Sequence, residues 1–283
     1  MTPDWLSVTP GVAPLLISLP HSGTRLPSEI EARVVSPWLA RKDTDWWIDR
    51  LYEVAGDLGA TIVHTAMSRT AVDVNRDPSG LSLYPGQVTT GLCPTETFDG
   101  EPLYAAGHEP TAREIAERRR AWFVPYHAAL GAELARLTTW HRRVVLYDCH
   151  SIRSVVPRLF DGELPQFNIG THDGASCDVS LTRVIEQVCD ATGLSRVTNG
   201  RFKGGYITRH YGRPDAGVHA VQMELACRGY MDEPSVAGPD TWPSHWDDTR
   251  AAALKTTLTR VLEAASAWAG DEPTAGTPAP DAP

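Results

Sequence analysis

The most informative stretch of the chain is Val144-Val145-Leu146-Tyr147-Asp148-Cys149-His150-Ser151. An apolar run that ends in polar residues is typical of a buried parallel strand. In open α/β sheets, functional side chains gather at the carboxyl ends of such strands. Because side chains alternate along a strand, Asp148 and His150 share one face and Cys149 points to the other. A histidine beside a carboxylate suits a metal ligand with an orienting partner, although a structural His–Asp pair gives the same pattern.

Two further apolar runs carry polar residues in the same way. Residues 14–19 read as a strand that is followed by Pro20-His21-Ser22-Gly23, so a second histidine stands at a strand end. Residues 218–225 read as a strand with Glu224 inside it. A carboxylate in such an apolar run is costly unless it is paired, bound to a metal or catalytic. Residues 178–192 and 247–269 have helical spacing, which indicates an α/β fold.

A helix is predicted from Asp43 or Thr44 to about Gly59, with Asp45 in its first turn. Asp45 could reach a metal from there, but a carboxylate is also favoured at that place by the helix dipole alone. Residues 70–78 read as another strand, which ends near Asn75-Arg76. An arginine beside an asparagine can hold a carboxylate through its planar fork, although an ordinary surface arginine gives the same pattern.

Residues 199–212 place basic and aromatic side chains between four glycines, and the basic ones include Lys203, Arg209 and His210. Such a segment can wrap closely around an anion, or it can be a solvated basic turn. Residues 79–108 are rich in glycine and proline and have little periodicity. Long irregular segments of this kind often form the walls of enzyme sites.

Composition restricts the class of protein. The chain has 283 residues and a net charge of −9, which argues against nucleic acid as a partner and leaves a small-molecule substrate. No apolar run approaches the length of a membrane span, and the N-terminus lacks the pattern of a signal peptide. The five cysteines form no Cys-x-x-Cys pair, which favours reduced thiols in the cytoplasm. We expect one catalytic domain over 1–270 and a disordered tail over 271–283; the sequence gives no indication of the oligomeric state.

Several motifs together resemble one family, the N-formylglutamate amidohydrolases, and in particular the deformylases of histidine degradation. The likeness runs from about residue 15 to residue 232. It rests on Pro-His-Ser-Gly from 20, Asp-Thr-Asp-Trp from 43, Val-Asp-Val-Asn-Arg from 72, Ser-Leu-Tyr-Pro-Gly-Gln from 82, Asp-Cys-His-Ser from 148, Lys-Gly-Gly-Tyr-Ile-Thr-Arg-His from 203 and Gln-Met-Glu-Leu from 222.

The resemblance implies a three-layer α/β/α domain with a mixed central sheet, zinc-carboxypeptidase-like (phosphorylase/hydrolase-like). Zinc carboxypeptidases and aspartoacylases, which the chain resembles more distantly, bind their metal through a His-x-x-Glu pair and a later histidine. Here His21 and His150 correspond to the two histidines, but Thr24 occupies the position where those families have the glutamate. The likeness therefore favours Asp45 as the third ligand, with Asp43 as the alternative, and the metal would be a divalent ion such as Zn²⁺.

The resemblance also implies roles for other side chains. Glu224 looks like the general base that activates the attacking water, and Asn75 with Arg76 looks like the pair that grips the substrate. Lys203, Arg209 and His210 would help to hold the substrate carboxylates, while Asp148 and Ser22 would support the metal ligands. The activity implied is hydrolysis of N-formyl-L-glutamate to formate and L-glutamate. Alternatives are a related deacylase or carboxypeptidase-like enzyme, a cysteine amidase that uses Cys149, and a non-enzymatic binding protein for acidic amino acids.

Overall fold

A mixed seven-stranded sheet forms the centre of the fold in the computed structural model, which describes residues 3–82, 86 and 89–270. The strand order is β1-β3-β2-β4-β7-β5-β6. Strands β1 and β3 are antiparallel, as are β7 and β5, and the other neighbours are parallel. The strands are β1 Leu6–Thr9, β2 Leu15–Leu19, β3 Thr61–Thr65, β4 Val144–Ile152, β5 Phe167–Gly170, β6 Arg196–Thr198 and β7 Val218–Ala226.

Helices cover both faces of the sheet. The α-helices are α1 Ser28–Glu31, α2 Ile48–Leu51, α3 Ala112–Arg118, α4 Val124–Thr138, α5 Val179–Asp190, α6 Tyr206–Tyr211 and α7 Asp248–Gly270. A π-helical turn, Arg119–Phe123, joins α3 to α4, and short 3₁₀ turns lie at Leu39–Arg41, Glu53–Ala55, His172–Gly174, Pro214–Ala216 and Cys227–Gly229. Helices α2, α5 and α7 share one apolar core with the sheet, and α4 and α6 share the other. The predicted three-layer α/β/α architecture is confirmed.

The centre of the sheet explains why polar residues meet at one edge. Strands β2, β4 and β7 are parallel neighbours, and β2 and β4 are buried along their whole length. Their carboxyl ends therefore lie side by side. His21 follows β2 in the chain, and within the ladder His150 of β4 is paired directly with Glu224 of β7.

Two local predictions were wrong. Residues 70–78 form turns instead of a strand, because the Asp73 carboxylate accepts a hydrogen bond from the main-chain N–H of Asn75 at 2.9 Å and so closes a turn. The helix expected from Asp43 starts only at Ile48, because Trp47 has a left-handed backbone with φ 60°. Asp45 therefore lies in a turn before α2 and not in the first turn of a helix.

The single-domain organisation stays a prediction, and the predicted tail over 271–283 lies outside the described residues. Part of the Ser-Leu-Tyr-Pro-Gly-Gln motif also falls on residues that are not described. None of the helices in the described ranges is both long enough and apolar enough to cross a bilayer.

Candidate active site

Two histidines and one aspartate converge where β2 and β4 end. Ligand atoms of His21, Asp45 and His150 lie within 4.8 Å of one another, and all three residues are buried. The loop that carries Asp45 is tied to the strand edge, because its main-chain N–H donates to the carbonyl oxygen of His21 at 3.1 Å. The arrangement brings together residues that are far apart in the sequence.

The two imidazoles are oriented in the same way. His21 Nε2 lies 2.7 Å from Asp73 Oδ1, and His150 Nε2 lies 2.9 Å from Asp148 Oδ2. Both Nδ1 atoms therefore face Asp45, with His150 Nδ1 at 3.0 Å and His21 Nδ1 at 3.7 Å from its Oδ2. Among the described residues, His21 Nδ1 is buried without a hydrogen-bond partner. A buried, unpartnered nitrogen beside a carboxylate is what a metal site leaves when the protein is considered alone.

The electrostatics of this triad favour a positive charge. Burial alone would raise the pKa of Asp45, but the hydrogen bond with His150 and the charge interactions with both imidazoles outweigh it and keep the pKa below its usual value. Burial alone would lower the pKa of His150, but the Asp148 and Asp45 carboxylates raise it well above its usual value. The carboxylates on either side of His150 thus stabilise a cation between them.

Asp43, the alternative third ligand, lies outside the triad. Its Oδ2 accepts a hydrogen bond from the main-chain N–H of Phe98 at 2.6 Å, and its Oδ1 lies 3.7 Å from Arg153. Burial raises its pKa to about 6. The structure therefore groups Asp45, and not Asp43, with the two histidines.

Two buried residues that support the triad, Asp73 and Arg69, were not predicted from the sequence. Asp73 accepts a hydrogen bond from Arg69 at 2.8 Å in addition to its contact with His21, and Arg69 reaches Asp45 at 3.3 Å. Although burial would raise the pKa of Asp73, the charges of Arg76, His21 and Arg69 keep it well below the usual value. One signal for Asp73 was available, because it stands inside an apolar run as Asp148 does; Arg69 had none.

Glu224 is buried beside the triad. It is 7% exposed and lines the same cavity as His21 and His150. Gln222 donates a hydrogen bond to its Oε2 at 3.2 Å. Burial raises the pKa of Glu224 to about 8, and a cation nearby would favour its ionised form. A carboxyl group in this position can exchange a proton with a molecule in the cavity.

The cavity has a volume of about 290 Å³. Its lining includes charged, apolar and small residues from four parts of the chain: Arg69, Arg76, Leu92, Phe98, Ile152, Arg158, Leu159, Arg201, Phe202 and Gly205. The wall thus contains several residues of the irregular stretch 79–108, as the sequence predicted. Cationic side chains in a concave site suit an anionic ligand.

Asn75 and Arg76 both line the cavity, but the side-chain amide of Asn75 is hydrogen-bonded to other residues of the protein. Its amide nitrogen donates to Asp148 at 3.0 Å and lies 2.9 Å from His150 Nε2, while its oxygen accepts from the main-chain N–H of Ile207 at 2.8 Å. Arg76 is held by Thr90 and lies 3.6 Å from Asp73. Arg76 is thus placed at the end of the cavity near His21.

Lys203, Arg209 and His210 are not among the described residues that line this cavity. Lys203 pairs with Asp173, and Arg209 donates through Nε to the carbonyl oxygen of Gly204 at 2.8 Å. His210 stacks on Tyr206, with 4.9 Å between the ring centres. Arg209 and His210 lie on helix α6 and Lys203 lies before it, and the structure does not bring these three side chains to the cavity as the sequence had led us to expect.

The sequence also suggested Cys149 as a nucleophile and Ser22 as a support for the metal ligands. Cys149 is fully buried in the apolar core on the opposite face of β4, and burial raises the pKa of its thiol well above the usual value. This position excludes the contact with His150 that a cysteine amidase would need. The Ser22 hydroxyl has no hydrogen-bond partner among the described residues, so support of a ligand by Ser22 is not seen.

The chain is similar to known proteins over most of its length. Residues 13–231 match the family model of the N-formylglutamate amidohydrolases. The chain is 47% identical over 264 residues to N-formylglutamate deformylase of Pseudomonas aeruginosa, covering 93% of this chain and 96% of that one. It is 45% identical to N-formylglutamate deformylase of Pseudomonas putida, covering 94% and 97%. The crystal structure of N-formylglutamate amidohydrolase from Ralstonia eutropha has the same fold, with a TM-score of 0.78, 22% identity and coverage of 95% and 99%.

Proposed function

Because the chain belongs to the N-formylglutamate amidohydrolase family, we propose that it hydrolyses N-formyl-L-glutamate to formate and L-glutamate at a divalent metal site. The observation that supports metal dependence is the triad, in which the Nδ1 atoms of His21 and His150 turn toward Asp45 while Asp73 and Asp148 hold the opposite ring nitrogens. Membership of histidine degradation and a cytoplasmic location stay predictions.

The donor set fits zinc. Two imidazole nitrogens and one carboxylate oxygen are the ligands of many catalytic zinc sites, which keep one coordination position open. We propose that His21, Asp45 and His150 hold the ion. When bound, such an ion would act as a Lewis acid and lower the pKa of water.

Other side chains would supply the proton transfer, the substrate contact and the charge balance. Glu224 would take a proton from the attacking water and later deliver it to the departing amine, which its burial beside the triad supports. Arg76 would hold the α-carboxylate of the substrate, since it lies at the end of the cavity near His21. Arg69 would keep Asp45 and Asp73 ionised, because it pairs with both.

A related deacylase of acidic N-acyl amino acids would use the same residues and is distinguished by substrate. We therefore propose to measure formate and glutamate release from N-formyl-L-glutamate, with N-acetyl-L-glutamate and N-acetyl-L-aspartate beside it. Release of equal amounts of formate and glutamate, with little hydrolysis of the acetylated compounds, is expected. Preference for an acetylated substrate would replace the proposed function with the related one.

Asp73→Asn should weaken zinc binding by about 10- to 100-fold, as is typical when a partner behind a metal ligand is changed. The amide keeps an acceptor oxygen for His21, but it loses the negative charge and sets an N–H group against Arg69. Zinc affinity can be measured by competition with a chromophoric chelator, and thermal unfolding checks that the variant is folded. A folded variant with unchanged zinc affinity would show that Asp73 does not orient His21 for the metal.

Treatment of the native protein with iodoacetamide should leave formate release unchanged. All five cysteines are buried, and the pKa of Cys149 is far above the usual value. Mass spectrometry of the treated protein shows which thiols have reacted. Loss of activity in proportion to modification of Cys149 would favour the cysteine amidase instead.

A further inference from the structure

We propose that Arg201 selects the side-chain carboxylate of the substrate, and that it does so in place of Arg209. The inference rests on the proposed function and deepens it, because N-formylglutamate carries a second carboxylate that Arg76 alone does not explain. Both arginines belong to the basic stretch 199–212. The structure separates them, because Arg201 lines the cavity and Arg209 is not part of the described lining.

The guanidinium of Arg201 is held in a defined plane. Its Nε donates a hydrogen bond to the carbonyl oxygen of Leu159 at 2.7 Å, and its Cζ lies 5.3 Å from the centre of the Phe202 ring. Phe202 in turn contacts Phe160 edge to face, with 6.2 Å between ring centres. A guanidinium that is fixed before the ligand arrives loses little conformational entropy on binding, and its planar fork matches a carboxylate.

The surroundings of Arg201 suit the methylene groups of a glutamate side chain. Phe98, Ile152, Leu159 and Phe202 line the same cavity, and they belong to one small apolar cluster of the described residues. An apolar wall with a cation on it favours a short hydrocarbon chain that ends in an anion. The α-carboxylate would lie toward Arg76, which approaches Asp73 at the metal end of the cavity.

The other arginines of the described cavity wall fit this role less well. Arg69 is buried between Asp45 and Asp73 and balances their charges. Arg158 forms an ion pair with Glu96, and it also donates to the carbonyl oxygen of Thr97 at 3.1 Å. These contacts direct the guanidinium of Arg158 toward Glu96 and Thr97.

The test compares N-formyl-L-glutamate with N-formyl-L-glutamine, which differs only in the side-chain carboxylate. Arg201→Gln should lower kcat/KM for N-formylglutamate by about 10- to 100-fold, because a charge-assisted hydrogen bond to the substrate is lost. It should change kcat/KM for N-formylglutamine little, so the preference for glutamate disappears. Turnover of N-formylglutamine also shows that the variant is folded. Arg201→Lys, which keeps the charge without the fork, gives the same comparison if Arg201→Gln does not fold.

Arg183→Gln is a matched control, because Arg183 is exposed on α5 and is not among the described residues that line the cavity, and it should keep both rates and the preference. Equal losses on both substrates in the folded Arg201 variants, or retention of the preference, would overturn the inference. A loss of preference in Arg158→Gln or Arg209→Gln and not in Arg201→Gln would also overturn it. Absence of wild-type activity on N-formylglutamate would overturn the proposed function together with this inference.

Discussion

Glu224→Gln is expected to retain its metal and to lose about 10²–10⁴-fold in kcat, the usual contribution of a general acid–base residue. Glu224 is buried in the cavity and paired with His150 across neighbouring strands, which places its carboxyl group beside the triad. The glutamine keeps the size of the side chain and a hydrogen-bonding group, but it cannot accept and return a proton. Single-turnover formate release and elemental analysis of the same preparation provide the two readouts.

The opposite pattern would change the role of Glu224. A variant that had lost its metal in proportion to its activity would show that Glu224 is a ligand. A variant with near wild-type kcat would show that another group moves the proton. Because Gln222 donates to Glu224 in the native protein, thermal unfolding should accompany both measurements.

Asp45→Asn is expected to lose metal and to reduce kcat/KM by more than about 100-fold, which exceeds the effect typical of a residue behind a ligand. Asp45 is the carboxylate toward which both imidazole Nδ1 atoms turn, and it is 1% exposed. An amide oxygen is a much weaker ligand than a carboxylate oxygen. Zinc content after dialysis and the rate of formate release at saturating zinc distinguish lost affinity from lost chemistry.

Asp43→Asn is the matched control for this prediction. Asp43 lies two positions away and is also buried, but its carboxylate accepts from the main-chain N–H of Phe98 instead of facing the histidines. The asparagine retains an acceptor for that hydrogen bond, so metal content should stay near that of the wild type. If Asp43→Asn lost the metal and Asp45→Asn kept it, the assignment of the third ligand would have to be reversed.

The sequence predicted the parts of the fold that depend on local pattern. The apolar runs at β2, β4 and β7 identified the central strands, and alternation along β4 placed Asp148 with His150 and turned Cys149 into the core. The predictions were wrong where a single backbone conformation or side-chain contact overrides the hydrophobic pattern of the sequence. Trp47 in the left-handed region stops the helix predicted from Asp43, and the turn closed by Asp73 replaces the strand over 70–78.

The candidate site was predictable only as far as residue type and motif allow. His21, Asp45, His150 and Glu224 were named from the sequence, and the structure brings them to one cavity or its immediate edge. Asp73 and Arg69 were missed, because their importance comes from contacts with residues distant in the sequence. Arg201 and Arg209 are equally basic in the sequence. In the structure, Arg201 lies in the loop before α6 and lines the cavity, whereas Arg209 lies on α6.

Metal analysis combined with formate release tests whether hydrolysis depends on a bound metal ion. The protein should be freed of metal with a chelator, checked by elemental analysis, and assayed on N-formyl-L-glutamate while zinc or cobalt is added back. Activity should be lost when the metal is removed. It should recover at about one equivalent of added metal per chain, as expected for one three-ligand catalytic site. Hydrolysis at the full wild-type rate by protein shown to contain no metal would contradict the account.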